Sequence, residues 1–211
     1  MNTAILFDLD GTLLDTLGDL HVATNHVLTR FGYPTRTIQE VCRFVGNGAG
    51  LLIRRAIPEG EAVEPVLAAF QEYYAAHCNI LTRPYDGILQ MLDALQDHYP
   101  MAVVSNKPDR AVKELAKIYF PTLFAQGETA TCRRKPQPDI VYAAMQALGA
   151  QRGILVGDSD VDIETAKNAG IPCISVTWGF RPEEELLAAG AQYICHHPSQ
   201  IPEMIQKILQ T

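Results

Sequence analysis

Two aspartates, Asp8 and Asp10, follow a short apolar run at positions 5–7 and stand immediately before Gly11. A short apolar run bounded by a turn signal indicates a buried strand, and residues two apart on a strand point the same way. We therefore expect both carboxylates to project together where the strand ends. Because neighbouring buried carboxylates repel each other and lose hydration, a positive group must compensate. Mg²⁺ suits such oxygen ligands, since it usually takes one or two carboxylates together with waters and substrate phosphate.

Two further polar clusters follow apolar runs later in the chain: Ser105 and Asn106 in one, Asp158 and Asp162 in the other. Taken alone, each cluster fits a turn or a helix cap. However, ligands bind beyond the carboxyl ends of the strands in open α/β sheets, and hydroxyl and amide groups placed there can hold phosphate oxygens. The stretch 158–162 also carries more acidic and hydroxyl side chains than a cap needs.

Lys135 lies between these two clusters and is followed directly by Pro136. A lone lysine is most simply a solvated side chain. Here the neighbouring prolines restrict the backbone, and an ammonium group that is held in place suits a phosphate. Lys135 is therefore a candidate for binding an anionic group.

The pattern of elements that must position these residues changes along the chain. From about residue 84 onward, strand and helix patterns alternate, which predicts parallel βαβ units. Residues 15–81 keep helical spacing without a strand pattern. The sequence thus predicts the α/β class, with a doubly wound, mostly parallel, Rossmann-like sheet in residues 1–14 and 82–211. Residues 15–81 are expected to form an inserted helical domain.

Composition restricts the classes of function. The 211 residues are 47% hydrophobic and 19% charged, which is ordinary for a globular protein, and the net charge of −7 argues against nucleic-acid or anionic-membrane binding. The five cysteines are odd in number and lack a C-x-x-C spacing, so reduced thiols are expected. We find no signal-peptide pattern and no run long enough to span a bilayer, so a cytoplasmic protein is expected.

The string Phe-Asp-Leu-Asp-Gly-Thr-Leu at 7–13 resembles the first motif of the haloacid dehalogenase-like (HAD) phosphohydrolases. Ser105, Lys135 and the stretch 157–162 resemble the other three motifs, in the family's order. The resemblance covers essentially the whole chain, and the insert resembles the family's C1 helical cap domain. It implies a Mg²⁺-dependent hydrolase that acts on a small phosphorylated metabolite. We expect the protein to be a monomer or homodimer.

The resemblance also implies a role for each matched residue. Asp8 is the nucleophile that forms an aspartyl-phosphate, Asp10 is the general acid and base, and Lys135 neutralises charge. The residues expected to bind substrate in this core are Thr12, Ser105 and Asn106. Those expected to hold Mg²⁺ are Asp8, the Asp10 carbonyl and Asp158, with Asp162 in or beside the metal shell.

The strings at 44–49, 84–87 and 105–108 resemble the phosphoglycolate phosphatase branch, in which threonine commonly occupies the position of Ser105. This likeness implies 2-phosphoglycolate as substrate. In the insert, Asn47 and Arg54 are expected to contact the leaving group, with Arg43 and Arg55 as alternatives, because arginine binds carboxylates bidentately.

Other functions remain open for these residues. A phosphosugar mutase of the same fold would retain the phosphate and need a bisphosphate activator. A phospho-accepting regulatory module also uses an aspartate, Mg²⁺, a hydroxyl residue and a lysine, but it needs neither Asp10 nor a helical insert. A haloacid dehalogenase would have no use for Asp10 or Lys135 next to Pro136. The phosphatase is therefore the leading hypothesis.

Overall fold

The protein is described by a computed structural model that covers residues 2–210. The strands are β1 (Thr3–Phe7), β2 (Leu14–Asp15), β3 (Arg83–Pro84), β4 (Met101–Pro108), β5 (Phe124–Glu128), β6 (Arg152–Gly157), β7 (Cys173–Val176) and β8 (Tyr193–Cys195). The helices are α1 (Leu17–Arg30), α2 (Ile38–Phe44), α3 (Ala49–Ala56), α4 (Val63–His77), α5 (Ile88–Gln96), α6 (Asp109–Tyr119), α7 (Asp139–Ala147), α8 (Asp160–Ala169), α9 (Glu183–Ala188) and α10 (Ile201–Gln210). A short 3₁₀ turn lies at Pro198–Gln200.

The main sheet has the strand order β5-β4-β1-β6-β7-β8, and every described pair in it is parallel. The chain leaves β1, adds β4 and β5 on one side, and then returns to add β6, β7 and β8 on the other. This reversal at β1 is the topological switch point at which doubly wound sheets bind their ligands. The predicted α/β class and mostly parallel sheet are confirmed.

Burial explains why the central strands are continuously apolar. All five residues of β1 are buried, because both faces of a parallel sheet are covered by helices. On one face, Leu6, Val104 and Leu155 pack with Ile140 and Ala144 of α7. This core holds the carboxyl ends of β1, β4 and β6 next to one another.

The described chain divides into two compact units. The first unit contains the residues up to Leu14 together with those from Pro84 onward, and the second is Asp15–Arg83. The sequence placed the second boundary after residue 81 rather than 83. Strands β2 and β3 pair with each other as a two-stranded sheet, so Asp15 is in a strand although a helical insert without strands was expected.

The second unit is helical and carries its own core. Helix α2 begins at a capping box, in which Thr37 accepts a hydrogen bond from the Glu40 backbone. Helix α1 supplies Asp19, a buried carboxylate that accepts bonds from the backbone N–H groups of Ile80, Leu81 and Thr82. Asp19 thereby ties the end of this unit to its beginning.

Two differences from the expected strands affect the site. Strand β1 ends at Phe7, so strand alternation does not govern the directions of Asp8 and Asp10. Strand β4 continues to Pro108, so Ser105 and Asn106 lie within the strand rather than after it, and its register with β5 shifts between Val104 and Pro108. Among the described residues, no helix combines the length and apolar character needed to cross a bilayer.

Candidate active site

The switch point of the sheet brings together polar residues from three adjacent strands. Asp8 directly follows β1, Ser105 lies in β4, and Asp158 directly follows β6. All three are buried. The Asp8 backbone N–H donates to the Val156 carbonyl at 2.8 Å, which fixes the end of β1 against β6. The three predicted clusters therefore converge on one place.

Lys135 is inserted among the carboxylates of this place. Its Nζ lies 2.8 Å from Asp8 Oδ1 and 2.6 Å from Asp162 Oδ1, and its side chain is only 2% exposed. Burial works to lower the pKa of Lys135, but the Asp162 and Asp8 carboxylates outweigh burial and raise it. Lys135 thus stays an ammonium ion beside the candidate nucleophile.

The pKa values of Asp8 and Asp158 are also raised, but here burial is the main cause of the rise. Burial raises the pKa of Asp8 well above its usual range, Lys135 opposes this, and the Asp162 and Asp158 carboxylates add to it. Burial and the Asp162 charge raise the pKa of Asp158 to about 7, against hydrogen bonds from Phe180 N–H and the Thr12 hydroxyl. The site therefore holds more negative charge than its protein groups compensate.

A divalent cation fits this excess of charge. One carboxylate oxygen from each of Asp8, Asp158 and Asp162 lies within 4.8 Å of the others. Two glycines, Gly11 and Gly179, lie against the Asp158 side chain so closely that a Cβ at either position would collide with it. Hard carboxylate oxygens in a buried, closely surrounded cluster are suited to Mg²⁺.

Asp162 has further partners besides the cluster. Its Oδ2 accepts from the Ser159 hydroxyl at 2.6 Å and from the Ser159 N–H at 3.2 Å, while Oδ1 accepts from Lys135. Its side chain also fills the space beside Gly157, where a Cβ would collide with it. In this structure Asp162 fixes Lys135 against the start of α8.

Asn106 was predicted to bind substrate, and the structure shows a different use of its side chain. Its amide Nδ2 donates to the Lys135 carbonyl at 3.0 Å, and its Oδ1 accepts from the Lys135 N–H at 2.6 Å. This paired contact holds the Lys135 backbone against β4. Thr12 likewise donates its hydroxyl to Asp158 Oδ1 at 3.1 Å, so it orients a candidate metal ligand.

Lys107 is a site residue that the sequence analysis did not single out. It is buried, and its Nζ lies 2.8 Å and 3.0 Å from the two carboxylate oxygens of Asp10. Asp8 and Asp10 are therefore each paired with a lysine of their own. The sequence did contain a signal for Lys107. It stands two residues after Ser105, and residues two apart lie on the same side of a strand.

The remaining predicted residues lie as follows. Ser105 is buried in β4, and its Oγ accepts from the Lys107 N–H at 3.3 Å. Asn47 is half-buried between α2 and α3, and Arg54 is exposed on α3, both in the second unit. Arg55 donates to the Phe44 carbonyl at 3.0 Å within that same unit.

Comparison with known proteins fits this geometry. The model of the haloacid dehalogenase-like hydrolases matches residues 5–176 of the chain, which include both aspartates of the first motif and the acidic cluster. The chain belongs to the haloacid dehalogenase-like hydrolase family. The resemblance inferred from the motifs is confirmed.

Relatives of this HAD-like hydrolase include named phosphatases. A phosphoglycolate phosphatase of Vibrio parahaemolyticus is 32% identical over 95% of both chains. An N-acetylmuramic acid 6-phosphate phosphatase of Pseudomonas aeruginosa is 32% identical over 98% of this chain and 96% of its own. A crystal structure from Lactobacillus delbrueckii subsp. bulgaricus, of a proposed phosphoglycolate phosphatase, aligns with a TM-score of 0.90 and 36% identity over 96% of this chain and 97% of that one.

Proposed function

We propose that this HAD-like hydrolase is a Mg²⁺-dependent phosphatase that hydrolyses a small phosphate monoester through an aspartyl-phosphate at Asp8. The observation that carries the proposal is the Lys135 ammonium held between Asp8 and Asp162, beside a buried carboxylate cluster. The negative oxygens of a phosphoryl group would be attracted to the Lys135 ammonium and to a cation held by the carboxylates. The phosphatase names of full-length relatives support the same reaction class.

In the first step, an oxygen of Asp8 attacks the phosphorus atom, and the bond from phosphorus to the leaving oxygen breaks. Asp10 gives a proton to that oxygen, which leaves as an alcohol. In the second step, Asp10 takes a proton from a water molecule, the water attacks phosphorus, and Asp8 is released with phosphate as product.

Other residues of the site act on the phosphoryl oxygens. The Lys135 ammonium neutralises charge that develops on them. The Ser105 hydroxyl has a hydrogen to donate to one of them. Bound Mg²⁺, held by Asp8 and Asp158, would supply further positive charge at the phosphoryl group. Asn106 and Asp162 keep Lys135 in position through its backbone and its ammonium, respectively.

For the substrate, we propose a phosphate ester that also carries a carboxylate, with 2-phosphoglycolate as the leading case. Phosphoglycolate and N-acetylmuramic acid 6-phosphate, which occur in the names of two relatives, share this chemistry. Asn47 and Arg54 of the second unit stay proposed contacts of the leaving group, since a guanidinium pairs well with a carboxylate.

A phosphate-release assay tests the function. The purified protein should hydrolyse p-nitrophenyl phosphate with Mg²⁺, lose the activity in EDTA and regain it when Mg²⁺ is restored. Among small metabolites, phosphoglycolate should be turned over with a higher kcat/KM than esters of uncharged alcohols. Full turnover in chelator would overturn the metal assignment, and absence of phosphate release from every ester would overturn the function.

A further inference from the structure

Lys107, which is buried, and Asp10, which is half-buried, form an ion pair that the proposed reaction does not explain. The side chains of Lys107 and Asp10 are 5% and 14% exposed, and both carboxylate oxygens lie within hydrogen-bond distance of the same ammonium group. Burying a charged pair is costly unless its geometry is good. A lysine at this place therefore needs a reason beyond solubility or simple filling of space.

In the proposed reaction, the two lysines of the site contact aspartates that act on different sides of the reacting bond. Lys135 contacts Asp8, which attacks phosphorus, and so belongs to the phosphoryl side. Lys107 contacts Asp10, which must reach the leaving oxygen, and so belongs to the leaving-group side. Whatever is attached to the leaving oxygen is consequently directed toward the surroundings of Lys107.

We propose that Lys107 selects substrates whose leaving group carries a carboxylate, by exchanging the Asp10 carboxylate for that of the substrate. This inference rests on the proposed phosphatase function and adds a specificity residue to it. The incoming group has the same charge and the same pair of acceptor oxygens as Asp10, so the ammonium keeps an equivalent partner. The exchange turns Asp10 away from Lys107. Once away from the ammonium, Asp10 takes up a proton from solvent and can then give that proton to the leaving oxygen.

The exchange links specificity to catalysis in one contact. A substrate without the carboxylate leaves Asp10 held by Lys107, whereas a carboxylate-bearing substrate releases Asp10 as it binds. Because the protein has a net charge of −7, a buried ammonium is one of few local groups that can attract the carboxylate of the substrate. Phosphoglycolate places its carboxylate one carbon from the leaving oxygen, within the range of a neighbouring lysine.

The test compares two substrates that differ in this group alone, phosphoglycolate and 2-hydroxyethyl phosphate. For wild-type protein, kcat/KM should be higher for phosphoglycolate. Lys107→Gln should reduce the ratio of the two kcat/KM values on the order of 10- to 100-fold, the scale of one hydrogen-bonded charge. The matched control is Lys113→Gln, which removes an exposed lysine paired with Asp109 on α6 and should leave the ratio unchanged.

A binding measurement makes the result independent of turnover. In an Asp8→Asn background with Mg²⁺, calorimetry should show phosphoglycolate binding more tightly than inorganic phosphate, and Lys107→Gln should remove that advantage. Should the single variant fail to fold because Asp10 is left buried without its lysine, Lys107→Gln combined with Asp10→Asn carries no unpaired charge and should show the same loss. Thermal melting checks the fold of each variant.

The outcomes separate the two proposals. Equal losses on both substrates would make Lys107 only a support for Asp10 and overturn the specificity role. A wild-type protein that does not distinguish the two esters would overturn it as well. If no ester is hydrolysed at all, the proposed function fails, and the calorimetric arm alone then decides whether Lys107 reads the carboxylate.

Discussion

At the scale of single residues, the site is a set of buried charges that fix one another. Lys135 is held at its ammonium by Asp8 and Asp162 and at its backbone by Asn106. Replacing one residue of such a buried pair by a neutral one leaves the charge of its partner uncompensated. Substitutions here are therefore expected to change chemistry and stability together, and each needs a folding control.

The first residue-scale prediction concerns the two aspartates of the first motif. Asp8→Asn should abolish turnover of p-nitrophenyl phosphate, because an amide is a poor nucleophile. Asp10→Asn should slow turnover on the order of 100-fold or more through loss of acid–base catalysis, while phosphate binding measured by calorimetry is kept. A near wild-type rate for either variant would contradict its role.

The second residue-scale prediction uses the raised pKa of Asp158, which is about 7 in the folded protein against an ordinary value of 3.8. Between these values the folded state holds a proton that the unfolded state has released, so metal-free stability falls as the pH rises through this range. Asparagine does not titrate. In EDTA, the melting temperature of Asp158→Asn relative to wild type should therefore rise by several degrees from pH 5 to pH 8.

The same pair of proteins provides the control with metal. Mg²⁺ at pH 8 should raise the melting temperature of wild type, because it binds the folded state. It should raise that of Asp158→Asn much less, because the variant lacks a candidate ligand. A difference between the two proteins that is the same at pH 5 and pH 8 in EDTA would refute the assigned cause.

At the scale of elements, the site depends on three adjacent strand ends and on the loop that follows β7. That loop supplies the Phe180 N–H, which donates to Asp158 Oδ2 at 2.7 Å, and the Trp178 indole, which donates to the Thr12 carbonyl at 3.0 Å. The loop of the first motif and the loop after β7 therefore enclose Asp158 from two sides.

The element-scale prediction is that Gly179→Ala weakens Mg²⁺ binding. A Cβ at this position would collide with the Asp158 side chain and the Gly11 carbonyl, so the loop has to move away from Asp158. The expected loss in Mg²⁺ affinity is about 10-fold or more, as for other groups that orient metal ligands. Titration calorimetry with Mg²⁺ alone measures it.

Gly50→Ala is the matched control. Gly50 lies in α3, and the nearest atom to a new Cβ there is Leu67 Cδ2 at 3.9 Å. Alanine should keep the Mg²⁺ affinity and add up to about 1 kcal/mol of stability through helix propensity. Unchanged Mg²⁺ affinity in both variants would show that the Gly179 contact does not shape the site.

At the scale of the whole molecule, the proposed catalytic residues all lie in the first unit, and the insert forms the second. A core that treats the phosphoryl group alike in every ester leaves substrate choice to residues near the leaving group. We propose Lys107 as one such residue in the first unit. In the second unit, the proposed contacts are Asn47 and the exposed Arg54.

The prediction at this scale is that Arg54→Ala lowers kcat/KM for phosphoglycolate on the order of 10-fold or more relative to p-nitrophenyl phosphate, through loss of a charged contact. Arg110→Ala, an exposed arginine on α6 paired with Glu114, should leave the ratio unchanged. Arg43→Ala and Arg55→Ala complete the set. If none of the three arginine variants of the second unit changes the ratio, the second unit does not read the carboxylate by arginine.

The sequence by itself determined the elements and the place of the site. Apolar runs and helical spacing are local properties, so they located β1, β6 and the helical insert, and the four motifs located Asp8, Ser105, Lys135 and Asp158. The alternation of strands and helices predicted a parallel, doubly wound sheet, but not the order of its strands. Strand β4 extends further than its apolar run, because it continues through Ser105, Asn106 and Lys107, which are polar but buried.

Only the tertiary structure decided which group holds which. Lys107 and Asp10 are 97 positions apart, and Thr12 and Asp158 are 146 apart. No periodicity in the chain links such positions, since their contact depends on how parallel strands are ordered and aligned. The same holds for Asn106. From the sequence its amide was expected to bind phosphate, whereas in the fold the amide pairs with the Lys135 backbone.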